Sequence, residues 1–254
     1  MLLNIVITEL QKLKRYSILL IGLVTVVLSP VMSIFTQKSY VEPDLNYGFP
    51  NLVNDTVWNN MGLILPITIA LIGGYMINRE FTDNTLKSIY PIPISFRKLL
   101  AGKLLTLAVV TVFFSVYSWV ITLICGAVFF PKGLTVLTAL QGLGKIVGMA
   151  LCVYIAELPI VAFCGRKANR FMAGSALSFI YGYLAIFLSG ENMQDYYPVS
   201  AGLGIIRFSG STGNNSVSYQ PIIGSCVLLT MIAITAVILL CSRRDKEEQR
   251  AIKK

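Results

Sequence analysis

Apolar residues along this chain fall into long unbroken runs, with short amphipathic stretches between them. A helix needs roughly 20 apolar residues, at about 1.5 Å each, to cross roughly 30 Å of hydrocarbon. Six runs meet that length: 17–35, 60–78, 104–130, 138–164, 171–188 and 221–241. The third and fourth are longer than needed, which predicts tilted helices or helices that run past the bilayer. The fifth is the shortest. The pattern predicts an all-α membrane protein of six transmembrane helices, forming a single transmembrane domain over 1–254.

The stretches between the runs have patterns of their own. In residues 1–16, Leu2, Leu3, Ile5, Val6, Leu10 and Leu13 stand against Asn4, Glu9, Lys12, Lys14 and Arg15. That predicts a basic amphipathic helix lying along a membrane surface. Segment 36–59, with Glu42, Asp44 and Asp55, predicts a solvated outer loop; gathering a cationic substrate is the alternative. The apolar stretch from Tyr196 to Ile206 is too short to span and predicts a short re-entrant or interfacial helix before the last span. The Gly-rich segment 209–218 predicts a flexible link.

The stretch 79–103 is the most charged internal one. Within it Leu86, Ile89 and Tyr90 fall at i, i+3 and i+4, the spacing of one helix face. Thr82 or Asp83 can cap the start, and Pro91 and Pro93 stop it. A short one-sided helix at that place offers a knob to a soluble partner. A solvated loop is the competing reading.

Charge sets the orientation. The chain is 55% hydrophobic and only 13% charged, against about 25% charge in soluble domains. Its net charge of +9 comes from basic residues at the ends of apolar runs. That is a pattern of membrane orientation rather than a nucleic-acid face. With the N-terminus inside, segments 1–16, 79–103, 165–170 and 242–254 hold 17 of the 21 Lys and Arg. The remaining four are Lys38, Lys132 and Arg207 in outer loops and Lys145 in the fourth run. This bias predicts both termini in the cytoplasm. Lys12, Lys14 and Arg15 before an apolar run imitate a signal peptide. The run is too long for one, and no small-x-small site follows, so it reads as an uncleaved first span.

Candidate chemistry is sparse. There is no His, which removes His-dependent zinc sites and triads. The five cysteines lie in or at the ends of apolar runs without a Cys-x-x-Cys, and read as packing residues. Neither a catalytic group nor a metal site is predicted. Glu157 is the one carboxylate deep in a run, with Pro159 just after it. Intramembrane charge is costly, so it should face a partner or a wet cavity. Lys103 or Arg79 could pair with it as a structural ion pair; a substrate or gating role is the alternative. Gly144 and Gly148 form Gly-x-x-x-Gly, which allows close helix approach within or between subunits. No phosphate-binding loop occurs: Gly102-Lys103 is followed by Leu104 and Gly144-Lys145 by Ile146.

The order Glu80, Thr85, Pro93 and a basic cluster ending in Gly102-Lys103 resembles the first cytoplasmic loop of ABC-2 type permeases. These are the membrane subunits of one class of ATP-binding-cassette exporters. The family usually has Gly-Thr where this chain has Asn84-Thr85. It usually has Arg directly after Pro-x-Ser, where this chain has Phe96 and then Arg97. The similarity is concentrated in 79–103 and is supported by the order of spans. The layout is similar to permeases of bacteriocin (lantibiotic) immunity and bacitracin-type resistance exporters.

The resemblance implies a coupling helix, with Arg79, Glu80, Thr85, Leu86, Ile89 and Tyr90 as ATPase-coupling residues. It implies two ABC ATPase subunits that carry ATP and Mg, a second permease (same or different), and no cofactor in this chain. The expected role is export of an antimicrobial peptide or related amphipathic compound across a bacterial cytoplasmic membrane. An ATP-independent secondary transporter or channel is the competing class. It would usually place several ionisable groups near the midplane, where this chain offers Glu157. An intramembrane enzyme is disfavoured by the missing His and the lack of a paired carboxylate site.

Overall fold

Among the described residues five helices are long and apolar enough to cross a bilayer, and a sixth, Met172–Phe187, is apolar but shorter. The computed structural model describes residues 2–14, 17–39, 46–82, 96–164, 171–188, 193–208, 211–212, 215–216 and 219–241. In chain order the helices are α1 (Leu2–Leu13), α2 (Ile18–Ser39), α3 (Phe49–Asn59), a π-helical turn (Asn60–Ile64), α4 (Leu65–Thr82) and α5 (Phe96–Phe129). They continue with α6 (Val136–Cys164), α7 (Phe171–Phe187), α8 (Gly202–Ile205) and α9 (Pro221–Leu240). Two residue pairs, Ser211–Thr212 and Asn215–Ser216, form an antiparallel bridge before α9. The fold is therefore all-α, with six apolar helices placed where six apolar runs predict them. α5, at 34 residues, would be about 51 Å long, well beyond the hydrocarbon thickness.

The second span corrects the expected outer loop. It begins at Phe49 rather than near residue 60, and α3, the π turn and α4 form one apolar run over Phe49–Arg79. Residues 49–59 are helical, and Phe49, Leu52 and Val57 are fully buried. The cause is an amphipathic pattern that average hydropathy hides. Phe49, Leu52, Val53, Thr56 and Val57 recur at helical spacing on the buried face. Asn51, Asn54 and Asp55 lie between them. Pro50 stands in the first turn, where its missing N–H costs nothing. Of the three acidic residues expected in that loop, Asp55 accepts a hydrogen bond from Tyr47 Oη at 2.6 Å. Glu42 and Asp44 lie outside the described residues.

This second span is the hub of the bundle. Of its apolar window 78% is buried against protein, compared with 17% for the last span. α4 packs along α7 and α6, and α3 packs on α2 and α6. Small residues set the closest approach: a Cβ on Gly182 of α7 would meet the Gly62 carbonyl oxygen at 2.8 Å and Pro66 Cγ at 2.6 Å. At the start of the π turn two consecutive asparagines reach opposite neighbours. Asn59 Nδ2 donates to Ser33 Oγ of α2 at 3.0 Å, and Asn60 Nδ2 donates to Ser118 Oγ of α5 at 3.2 Å. A π turn interrupts the α ladder and often marks a functional place in a helix. Here it lies between α3, which packs on α2 and α6, and α4, which packs along α7 and α6.

Candidate functional site

Besides the asparagine contacts at the π turn, two clusters with a buried carboxylate interrupt the described part of the apolar bundle. The first ties α1 to the ends of α4 and α5 that flank residues 83–95, here called the basic end. Lys103 Nζ donates to Glu9 Oε2 at 2.8 Å and to the Met76 carbonyl at 2.9 Å. Lys12 Nζ donates to the other oxygen of Glu9, Oε1, at 2.7 Å. Glu9 and Lys103 are each 4% exposed. Burial pushes the Glu9 carboxyl up, but Lys103 and Lys12 together outweigh it and hold it below the usual carboxylate range. One ammonium thus joins three helices: α1 through a carboxylate, α4 through a main-chain carbonyl, and its own α5.

The sequence allows this contact through one small residue and one row of α1. Ile5, Glu9 and Leu13 recur every four residues and form the buried row of α1. Gly102 faces it: a Cβ there would lie 2.6 Å from Ile5 Cγ2. This corrects the expected polar face of α1. Glu9 belongs to its buried side, while Leu3 and Ile7 are exposed. Close by, Tyr154 Oη of α6 donates to the Leu104 carbonyl at 2.7 Å, which brings a fourth helix to the junction.

The expected ATPase-coupling residues lie beside this junction or beyond it. Arg79, on the last turns of α4, donates from Nη1 to Tyr75 Oη at 2.8 Å. The backbone of Glu80 belongs to α4. Thr85, Leu86, Ile89 and Tyr90 lie outside the described residues, as does the expected coupling helix they form.

The second cluster surrounds Glu157. Its side chain is fully buried, and Ser178 Oγ of α7 donates to Oε2 at 2.6 Å. Oε1 has no hydrogen-bond partner among the described residues. The expected pairing with Lys103 or Arg79 is not formed. Lys103 is committed to Glu9 and Met76, and Arg79 bonds Tyr75. The physical reason is geometric: α1 lies across the basic end and supplies Lys103 with a nearer carboxylate. Tyr181 of α7 lies three residues beyond Ser178 on the same helix face, and Tyr197 reaches it from the segment after α7. Their rings pack at 5.3 Å between centroids, and Tyr197 Oη donates to the Tyr181 carbonyl at 2.6 Å. Burial and then the Glu157 carboxylate push the Tyr197 phenol up to about 12.

Tyr197 comes from the segment between α7 and α9, which packs against the middle of α6. A Cβ on Gly202 would meet Cys152 Cβ at 2.5 Å, and one on Gly148 would meet Ile206 Cγ2 at 3.0 Å. Val199, Ala201 and Leu203 are fully buried. Gly148 therefore receives the outer segment, whereas Gly144 has open space beside it. Lys145, between them, donates to Asn54 Oδ1 at 3.0 Å. Glu9, Ser178, Tyr181 and Tyr197 were not singled out by the sequence. The one signal for Glu9 is a carboxylate in the Ile5–Leu13 row; hydroxyls in apolar runs give no comparable sign.

The sequence model of the family described as ABC-2 family transporter protein matches residues 5–185 of this chain. That range holds Glu9, Lys103, Glu157, Ser178 and Tyr181, and ends before Tyr197. The bacitracin transport permease protein BCRB of Bacillus licheniformis is 27% identical over 163 residues, which is 63% of this chain and 76% of that protein.

Proposed function

Since the chain belongs to the ABC-2 family of transporter permeases, we propose that it is the membrane subunit of an ATP-driven exporter. It is a multi-pass membrane protein, and permeases of its family work with ABC ATPase subunits. In our reading two such ATPases, carrying ATP and Mg, dock under a pair of permeases, either identical or different. The basic end faces the cytoplasm with both termini, because the Lys and Arg bias outweighs a helix-dipole penalty of about 0.3–1 kcal/mol at the start of α5. The cargo is an antimicrobial peptide or a related amphipathic compound. The similarity to a bacitracin transport permease supports that class.

The observation that carries the reading is the Glu9–Lys103–Met76 junction. It binds α1, α4 and α5 together at the two places where the 83–95 stretch joins the spans. A push delivered to that stretch then moves three helices as one body instead of bending one. Arg79 and Glu80, at the end of α4, would pass the motion into the second span. Leu86, Ile89 and Tyr90 would fill a groove on the ATPase, each worth about 1.5–3 kcal/mol if fully buried.

The test is copurification followed by transport. The permease is expressed with the ATPase encoded beside it, if one is, and reconstituted in inside-out vesicles. The proposal predicts ATP-dependent uptake of an amphipathic peptide and no uptake with a hydrolysis-dead ATPase. Uptake driven by an ion gradient without ATP would sink it in favour of a secondary transporter.

A further inference from the structure

We propose that Glu157 is the carboxylate of a cation-binding site for cargo, taking one ammonium or guanidinium group on Oε1, with Tyr197 as its cover. Calling the ligand cargo rests on the exporter reading; the binding site itself does not.

Four observations lead there. The Glu157 carboxyl is fully buried in a span, and its only hydrogen bond among the described residues is the one from Ser178 to Oε2. Among the described residues Oε1 has no partner, and a carboxylate at that depth is normally paired. The cations expected to pair with it are engaged elsewhere: Lys103 with Glu9, Arg79 with Tyr75. Beside it on α7, Tyr181 follows Ser178 by three residues on the same helix face, and the Tyr197 ring packs against Tyr181 at 5.3 Å, so the pair offers aromatic faces and a hydroxyl oxygen. Carboxylate, hydroxyl and aromatic ring together suit an organic cation, which gains an ion pair and a cation–π contact. Among the described residues no cluster of three metal-ligating side chains occurs, so the set does not suit a bound metal ion.

Position adds the direction. Glu157 is seven residues from Cys164, so it lies roughly 10 Å along α6 from the basic end. Tyr197 approaches it from the opposite end, on a segment anchored by Gly202 against Cys152 and by the Tyr197–Tyr181 hydrogen bond. That segment also buries Gln194, and neither of its amide atoms is hydrogen-bonded among the described residues. An uncompensated buried amide lowers the cost of moving the segment, because motion lets water reach it. A site between the basic end and a movable outer segment can be opened to either side in turn.

The probe is a dansyl-labelled amphipathic peptide with a single lysine, compared with the same peptide acetylated at that lysine. Permease in neutral phosphatidylcholine nanodiscs, without ATPase, reports binding by energy transfer from Trp58 and Trp119. The wild type should bind the lysine peptide at least about tenfold more tightly than the acetylated one, and Glu157→Gln should lose that preference. Absence of preference in the wild type, or its survival in Glu157→Gln, overturns the site. Should Glu157→Gln not fold, the native chain decides. The lysine peptide should protect Glu157 from dicyclohexylcarbodiimide, read as loss of the adduct by mass spectrometry; protection by both peptides or by neither overturns the site. ATP-driven uptake without the charge preference refutes this site and leaves the exporter standing. The preference without ATP-driven uptake does the reverse.

Discussion

Lys103, on the first turns of the third span, donates to Glu9 of the surface helix at 2.8 Å, and both side chains are almost fully buried. A buried ion pair of this kind adds little net stability over a well-packed apolar pair. Breaking it from one side, however, leaves an uncompensated charge at a cost of about 3–5 kcal/mol. Lys103→Ala and Glu9→Ala should therefore each lower the melting temperature in detergent sharply. The double replacement Glu9→Leu with Lys103→Met should cost less than either. Additive losses in thermal melts would show that the two residues do not act as a pair.

The same pair sets an acid dependence. Its neighbours hold the Glu9 carboxyl below its unfolded value, which is about 4.3. A group depressed on folding contributes fully above its unfolded pKa and loses that contribution as pH falls through the folded one. The stability gap between wild type and Glu9→Gln should thus be constant from neutral pH down to about pH 5 and shrink below about pH 4. A gap that widens with acid would reverse the assignment. Melting curves of both proteins across that range measure it.

Gly102 is the space that lets α1 dock. Valine there would drive its Cβ into Ile5, which a Cβ already meets at 2.6 Å. Overpacking of this kind costs about 1–3 kcal/mol. Gly102→Val should destabilise the chain, and Ile5→Ala in the same molecule should recover part of the loss. If the valine is equally costly in the wild-type and Ile5→Ala backgrounds, the contact is not the cause. A double-mutant cycle read by unfolding reports the coupling.

Orientation is testable by single cysteines in a chain from which Cys125, Cys152, Cys164, Cys226 and Cys241 have been removed. Cysteines placed within 209–218 should react with an impermeant maleimide from outside. Cysteines placed within 79–103 should react only after the membrane is opened. The inverse pattern would turn the whole topology over.

How far the sequence reveals this molecule depends on the kind of signal. Apolar runs show the spans because membrane insertion depends on the same property that hydropathy measures. They miss Phe49–Asn59, where Asn51, Asn54 and Asp55 dilute the average although the helical spacing of Phe49, Leu52, Val53, Thr56 and Val57 is intact. A reading by period instead of by mean would find that helix. Glu157 is visible as a lone intramembrane carboxylate, but its partner is not, since Ser178 is one hydroxyl among many in the apolar runs. Lys103 attracts attention as a possible partner for Glu157. Its true partner is 94 residues away on α1, a choice made by how helices lie across one another rather than by local pattern. The resemblance of 79–103 to an ABC-2 loop points to the family, which the match over 5–185 shows. Roles for Thr85, Leu86, Ile89 and Tyr90 rest on that resemblance and on spacing.

The central claim is that the 83–95 stretch is where an ATPase takes hold. The decisive measurement is ATPase retention and peptide-stimulated ATP hydrolysis in vesicles carrying the wild type or Leu86→Asp with Tyr90→Asp. The double replacement should insert and melt like the wild type, because it leaves Glu9, Lys103, Glu157 and Ser178 unchanged. It should lose at least two apolar anchors, each worth about 1.5–3 kcal/mol, and so retain little ATPase and show no stimulation. Full retention with unchanged stimulation would contradict the claim: the stretch would not be the contact, and the junction above it would have no motion to carry.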